Sequence, residues 1–392
     1  MSRTVTGIEK LLSSPATHYP FLQGKRIALL CNQASVLPDL THSRIAIIHR
    51  NDLKLTALFT PQHGLFAEKQ DNMKESDHEL DHATGLPVFS LYSSSRKPTK
   101  EQLDYFDVML VDLQDVGCRV YTYIWTMLLA MEECALSGKT MVILDRPNPI
   151  GGVALEGPLL EKDLYSFVGM APIPLRHGMT MGELALMFKK TMNLDLELHI
   201  VWMDMWKREF YHPETGLPWV WPSPNLPTFE TALVYPGQVI LETVNISEGR
   251  GTTRPFEVFG APFLQPERVS SMIKAAEGAT LREQFFEPTF NKFTGERCRG
   301  FQLHVTDRHL FRPVRFTLEF LSVLWRLYPG ELEWTSPPYE YEYEKLPADL
   351  VIGNREIRKM VEQGADIAEI SDRFQEDEWT FRDERLPFLY YD

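Results

Sequence analysis

Two stretches of the chain place carboxylates where apolar runs end. Glu68 and Glu75 follow the run 53–59 (LKLTALF), and Asp112 and Asp115 close or follow the run 108–113 (VMLVDL). Paired carboxyl groups suit glycoside hydrolysis: one protonates the leaving oxygen, and the other activates water or attacks the anomeric carbon. For any one of these acids, capping a strand end or pairing with an arginine, such as Asp115 with Arg119, is the competing explanation. His63 and His177 each precede a glycine after an apolar run, a place from which an imidazole can face a ligand. Tyr121, Tyr123, Trp125, Trp219 and Trp221 offer stacking faces for a sugar ring, although core packing is the commoner use of an aromatic. Arg119, Arg146, Arg176 and Arg250 fall in the same set of loops. Guanidinium groups gathered there would match a carboxylate in bidentate geometry.

Other chemistries fail on context. His78 and His82 frame an H-E-x-x-H string, which in zinc peptidases sets two imidazoles on one helix face. Its surroundings, KESDHELDHATG, are polar all round, so a solvated loop or short surface helix is expected instead. The string Ser137-Gly-Lys-Thr140 lacks the earlier glycine of a phosphate loop and precedes a strand rather than following one. No G-x-G-x-x-G follows the first apolar run, and no G-x-S-x-G elbow is present.

The elements that must position these residues alternate through the first half of the chain. Runs at 26–31, 53–59, 86–91, 108–113 and 140–144 are short and apolar on both faces, as in strands of a parallel sheet covered by helices. Helical spacing lies between them at 43–49 and 122–135. The pattern predicts a doubly wound α/β sheet, whose ligands bind beyond the carboxyl ends of the strands. A further strand-like piece, 173–175, leads into Thr180, which can cap a helix with Glu183. The Pro- and Trp-rich run 217–228 reads as a crossover, giving a domain of residues 1–232 and a smaller α+β domain of 233–392. In the second domain, strands are expected at 239–245, 300–305 and 314–316, and in the aromatic–acidic alternation 339–344. Helices are expected near 269–276, 318–327 and 352–363.

The 392 residues carry a net charge of −14, which argues against nucleic acid as the main partner. No apolar run reaches membrane-spanning length, and the first residues resemble no export signal, so a soluble, cytoplasmic protein without a membrane partner is expected. The four cysteines, with no CxxC spacing, are expected as buried free thiols.

Taken together, the strings PQHGLFAEKQDNMKES, VDLQDVGCRVYTYIWTM, LDRPNPIGG, FVGMAPIPLRHGMTMGELA, GLPWVWPSPNLPTFETALVYPG, NISEGRGTTRPFEVFGAPF and PPYEYEYEKLPADLVIGN, in this order along nearly the whole chain, resemble the NamZ-type exo-β-N-acetylmuramidases. The resemblance implies a Rossmann-like catalytic domain, a smaller C-terminal domain and a site in the cleft between them. It also implies release of terminal N-acetylmuramic acid from a peptidoglycan-derived muropeptide or disaccharide, with no cofactor and no metal. The lactyl carboxylate of that sugar would give the arginines a role. Many relatives read HGFRG where this chain has His63-Gly-Leu-Phe-Ala-Glu68, so Glu68 is the first candidate general acid and Glu75 the second. Asp115 is the partner carboxylate. His63, Arg119, Tyr121, Tyr123, Asn148 and His177 would position the sugar, and Asn225, Thr228, Glu248 and Arg250 would close the cleft. A muropeptide-binding protein without turnover is the second reading, permitted by the altered run. A zinc hydrolase using His78 and His82 is the third.

Overall fold

The computed structural model describes residues 3–69, 73–74 and 79–392. Its main sheet has seven strands: β1 (Arg26–Cys31), β2 (Lys54–Thr60), β3 (Glu79–Asp81), β4 (Leu86–Ser90), β5 (Val108–Asp112), β6 (Thr140–Leu144) and β7 (Leu198–Val201). Their order is β3-β4-β2-β1-β5-β6-β7, and every pairing is parallel except β3 with β4. The strands are apolar on both faces because both are covered. Ala28, Leu30, Met109, Val111, Met141 and Ile143 face one core, while Ile27, Leu29, Val108, Leu110, Val142 and Leu144 face the other. Helices Tyr123–Leu136 and Met181–Thr191 pack in the first core, and Gly7–Ser13 and Ser43–Ile48 pack in the second. This is a doubly wound, Rossmann-like α/β sheet.

Chain order reverses between β1 and β5, so the loops after them diverge and leave a crevice at their carboxyl ends. Thr180 caps Met181–Thr191 with Glu183, as expected. The piece 173–175 is irregular; Arg176 makes only single bridges to Cys118 and Glu156. The segment carrying His82 departs from the loop or helix expected, because Glu79–Asp81 pair antiparallel with β4 at the sheet edge.

A smaller antiparallel sheet, β8 (Val258–Ala261), β10 (Cys298–Val305) and β9 (Ala279–Phe286), packs on helix Pro313–Leu327 through Phe259, Phe301, Phe316 and Phe320. Three expected strands are absent. Residues 239–243 form a 3-10 helix, 314–316 lie inside the helix, and 339–342 form a tight turn with mutual backbone hydrogen bonds between Tyr339 and Glu342. Periodicity alone does not separate a short apolar strand from a buried helical turn. Helix Phe229–Gln238 runs through position 232/233, and a single apolar cluster continues from the main sheet into the smaller one. All four cysteines are buried and free. Among the described residues no helix is long and apolar enough to cross a membrane.

Candidate active site

A recess with about 460 Å³ of empty space lies where the carboxyl edge of the main sheet meets the second half of the chain. Gln62, His63, Tyr121, Tyr123, Ser223 and Asn225 form one side of it, and Tyr235, Glu242, Arg250, Phe256, Tyr339 and Glu340 form the other. It adjoins a wider groove of about 1410 Å³ that includes Lys74, Asn245, Glu248 and Lys292. Glu242, Arg250, Tyr339 and Glu340 line both spaces.

The first side is built by strand ends. After β1, the Asn32 amide donates to the Pro222 carbonyl at 2.8 Å, and the Tyr123 hydroxyl donates to the same oxygen at 2.7 Å. The crossover is thereby tied to the crevice. After β2, His63 and Gly64 both take positive φ, 77° and 81°, which turns the chain back over the strand end. The His63 Nδ1 lies 2.7 Å from the Lys69 carbonyl and must carry the proton, leaving Nε2 as the acceptor. Burial pushes the pKa of this imidazole down to about 4, so the ring is neutral at pH 7. Tyr121 and Tyr123 lie 4.5 Å apart, and the buried Tyr121 hydroxyl makes no hydrogen bond of ordinary geometry.

The second side carries the charge. Glycines at 249 and 251, with φ of 83° and 79°, flank Arg250; a Cβ on either would meet backbone oxygen at 2.2 or 2.6 Å. The guanidinium reaches Glu242 at 2.7 Å and lies 3.4 Å from Glu248, which Lys292 approaches to 3.0 Å. Glu242 also accepts from the Tyr339 hydroxyl at 2.8 Å. Burial opposes its charge, but Arg250, the Tyr339 hydroxyl and Lys292 together outweigh burial and hold the carboxyl below its ordinary range. Glu340 accepts from Tyr92 at 2.6 Å and from Gln62 at 3.1 Å. Here burial dominates, and its pKa is raised. The recess thus holds two carboxyl groups whose surroundings push their proton affinities in opposite directions, the usual arrangement for an acid and an ionised partner.

Of the residues singled out from sequence, His63, Tyr121, Tyr123, Asn225 and Arg250 come together on this wall, with Glu248 beside it. The others lie elsewhere. Glu68 is exposed and off the wall, and Glu75 and His78 lie outside the described residues. Asp115 is buried off the wall; one oxygen accepts from the Gly117 amide at 2.7 Å, and His177 stands 3.5 Å away. The expected Asp115–Arg119 pair is not formed. Arg119 instead donates to the carbonyls of Leu350, Val351 and Ile352, filling acceptors at the end of helix Pro347–Ile352. Asn148 bonds the Met179 carbonyl and the Ile150 amide, and Thr228 caps Phe229–Gln238. Arg146 pairs with Asp112, and Arg176 with Glu156, so the four-arginine cluster is not assembled. Trp125 is core, donating to the Arg119 carbonyl at 2.7 Å. His82 is exposed, and no group of three His, Cys, Asp or Glu among the described residues is placed to hold a metal ion.

Sequence reasoning missed Gln62, Tyr235, Glu242, Tyr339 and Glu340. Its one usable signal was the isolated acid in the apolar run VILETV; the alternation around Glu340 pointed to a strand.

Residues 27–230 match the N-terminal, and residues 233–391 the C-terminal, domain described as exo-beta-N-acetylmuramidase NamZ. The peptidoglycan beta-N-acetylmuramidase NamZ of Bacillus subtilis (strain 168) is 42% identical over 388 residues, covering 98% of this chain and 91% of that one. Crystal structures of two DUF1343 family proteins from Bacteroides fragilis NCTC 9343 superpose with TM-scores of 0.89 and 0.77, at 33% and 28% identity, each covering 100% of this chain and 99% of its own. The chain belongs to the exo-β-N-acetylmuramidase NamZ family.

Proposed function

We propose that this chain is an exo-acting glycoside hydrolase that releases terminal N-acetylmuramic acid from peptidoglycan fragments in cell-wall turnover. The observation that carries the reading is the recess together with the groove it opens into: walled by aromatic rings and hydrogen-bonding groups, and holding two carboxyl groups of opposite tendency where the two spaces meet. An end sugar would lie at the mouth of the recess, against its aromatic and hydrogen-bonding wall, while the rest of the fragment continues along the adjoining groove. His63, Tyr121, Tyr123 and Asn225 would orient the sugar. We divide the chain at 232/233, with residues 1–232 supplying these groups and 233–392 the charged ones.

The test is release of 4-nitrophenol from the 4-nitrophenyl β-N-acetylmuraminide, with the β-N-acetylglucosaminide as control. Hydrolysis of the first alone is expected. Equal hydrolysis of both removes the specificity, and tight binding of N-acetylmuramic acid without hydrolysis replaces the reading with a muropeptide-binding protein.

A further inference from the structure

We propose that Glu340 is the proton donor of the cleavage and Glu242 its ionised partner, an assignment that rests on the function proposed above. The first argument is position. With the end sugar at the mouth of the recess and the remainder in the groove, the bond to be broken lies where the two spaces meet. Glu242, Arg250, Tyr339 and Glu340 are the residues that line both, and of these only the two glutamates can act as an acid and an anionic partner.

The second argument is how Glu340 is held. Its backbone and that of Tyr341 take positive φ, 45° and 66°, within a turn closed by Tyr339 and Glu342. Consecutive left-handed non-glycine residues are costly, and such strain gathers at functional sites. Here it sets a carboxyl group inside the recess, where Tyr92 and Gln62 each hold one oxygen. The residue is only 4% exposed, so water competes little for its proton. Glu242 differs in that one of its two donors is a cation: Arg250 holds one oxygen and Tyr339 the other, which keeps it charged beside a sugar that becomes positive.

The proton count closes. Glu340 gives its proton to the glycosidic oxygen as the bond from the anomeric carbon breaks, and that bonding pair stays on the leaving oxygen. The Glu242 carboxylate stabilises the positive charge left on the ring. A water oxygen then bonds to the anomeric carbon, and the proton it loses restores Glu340. The products are a free sugar and an alcohol.

A general acid matters most when the leaving group is poor, which gives a readout that simple loss of structure would not. Glu340→Gln is expected to slow cleavage of N-acetylmuramyl-N-acetylglucosamine by about 10²–10⁴-fold. The 4-nitrophenyl glycoside, whose leaving group needs no proton, should slow far less. Glu340→Asp should show the same split more weakly, and Glu242→Gln should slow both substrates together. An active wild type whose Glu340 variants keep full rate, or lose both substrates equally, overturns the assignment. So does a loss of the split pattern to Glu68→Gln instead. A wild type that cleaves neither substrate overturns the proposed function, and this assignment with it.

Discussion

The acids at the strand ends of the main sheet and the acids of the second half of the chain occupy similar depths but different circumstances. Asp112 is fully buried and meets Arg146 with both oxygens, at 2.6 and 2.9 Å. Asp145, after β6, accepts from Thr180 and Gly182 at 2.9 Å and from Tyr391 at 2.6 Å. Neither lines the recess. Glu242 and Glu340 are as securely held, yet each lines the recess and the groove. Burial and hydrogen bonding therefore do not mark a catalytic acid by themselves. What distinguishes one is that the structure around it leaves room for a substrate.

The sharpest way to break this comparison is to neutralise Asp112. Asp112→Asn leaves Arg146 buried without its counter-charge and should cost about 3–5 kcal/mol, measured by urea unfolding. The activity of the fraction still folded should be close to wild type. A variant of normal stability and lost turnover would put Asp112 in the site instead of the scaffold.

A smaller effect separates Asp145 by pH. Burial raises its pKa to about 7, with Glu183 adding to burial and Tyr391, Gly182 and Thr180 opposing it. The folded state therefore binds a proton that the unfolded chain releases near its ordinary value of 3.8. The contribution to stability is present below about pH 4 and is lost as pH rises through about 7. It amounts to a few kcal/mol at most, roughly 1.4 per pKa unit. Asp145→Asn should flatten the fall in unfolding free energy between pH 5 and 8, and an unchanged slope would show that Asp145 does not titrate there.

The smallest effect tests a local element. Thr180→Ala removes the cap of Met181–Thr191 and should cost about 1 kcal/mol by thermal unfolding, leaving turnover unchanged. A loss of turnover out of proportion to stability would tie this helix start to the site.

The comparison also explains where reading from sequence succeeded. The five central strands stand out because both faces of each are apolar, and a parallel sheet covered on both sides requires that. The crevice at their carboxyl ends follows from chain order, which is why His63, Tyr121 and Tyr123, singled out from the sequence, lie on the wall of the recess. Arg119 was misplaced for the opposite reason. A guanidinium that fills three helix carbonyls 231–233 residues away carries no local sign of them. Glu242 and Glu340 were hidden by secondary structure: a 3-10 turn and a left-handed turn both imitate strand patterns in a short window.

Composition, periodicity and capping, with the ordered motifs, were enough to specify a doubly wound α/β chain and its family, because burial and local backbone chemistry act through neighbours in sequence. Which carboxylates line the recess and the groove was settled only by packing. The second half of the chain closes over the strand ends, bringing Glu340 within 3.1 Å of Gln62, 278 positions earlier. A proton affinity set by burial and by such distant partners exists only once that closure has occurred.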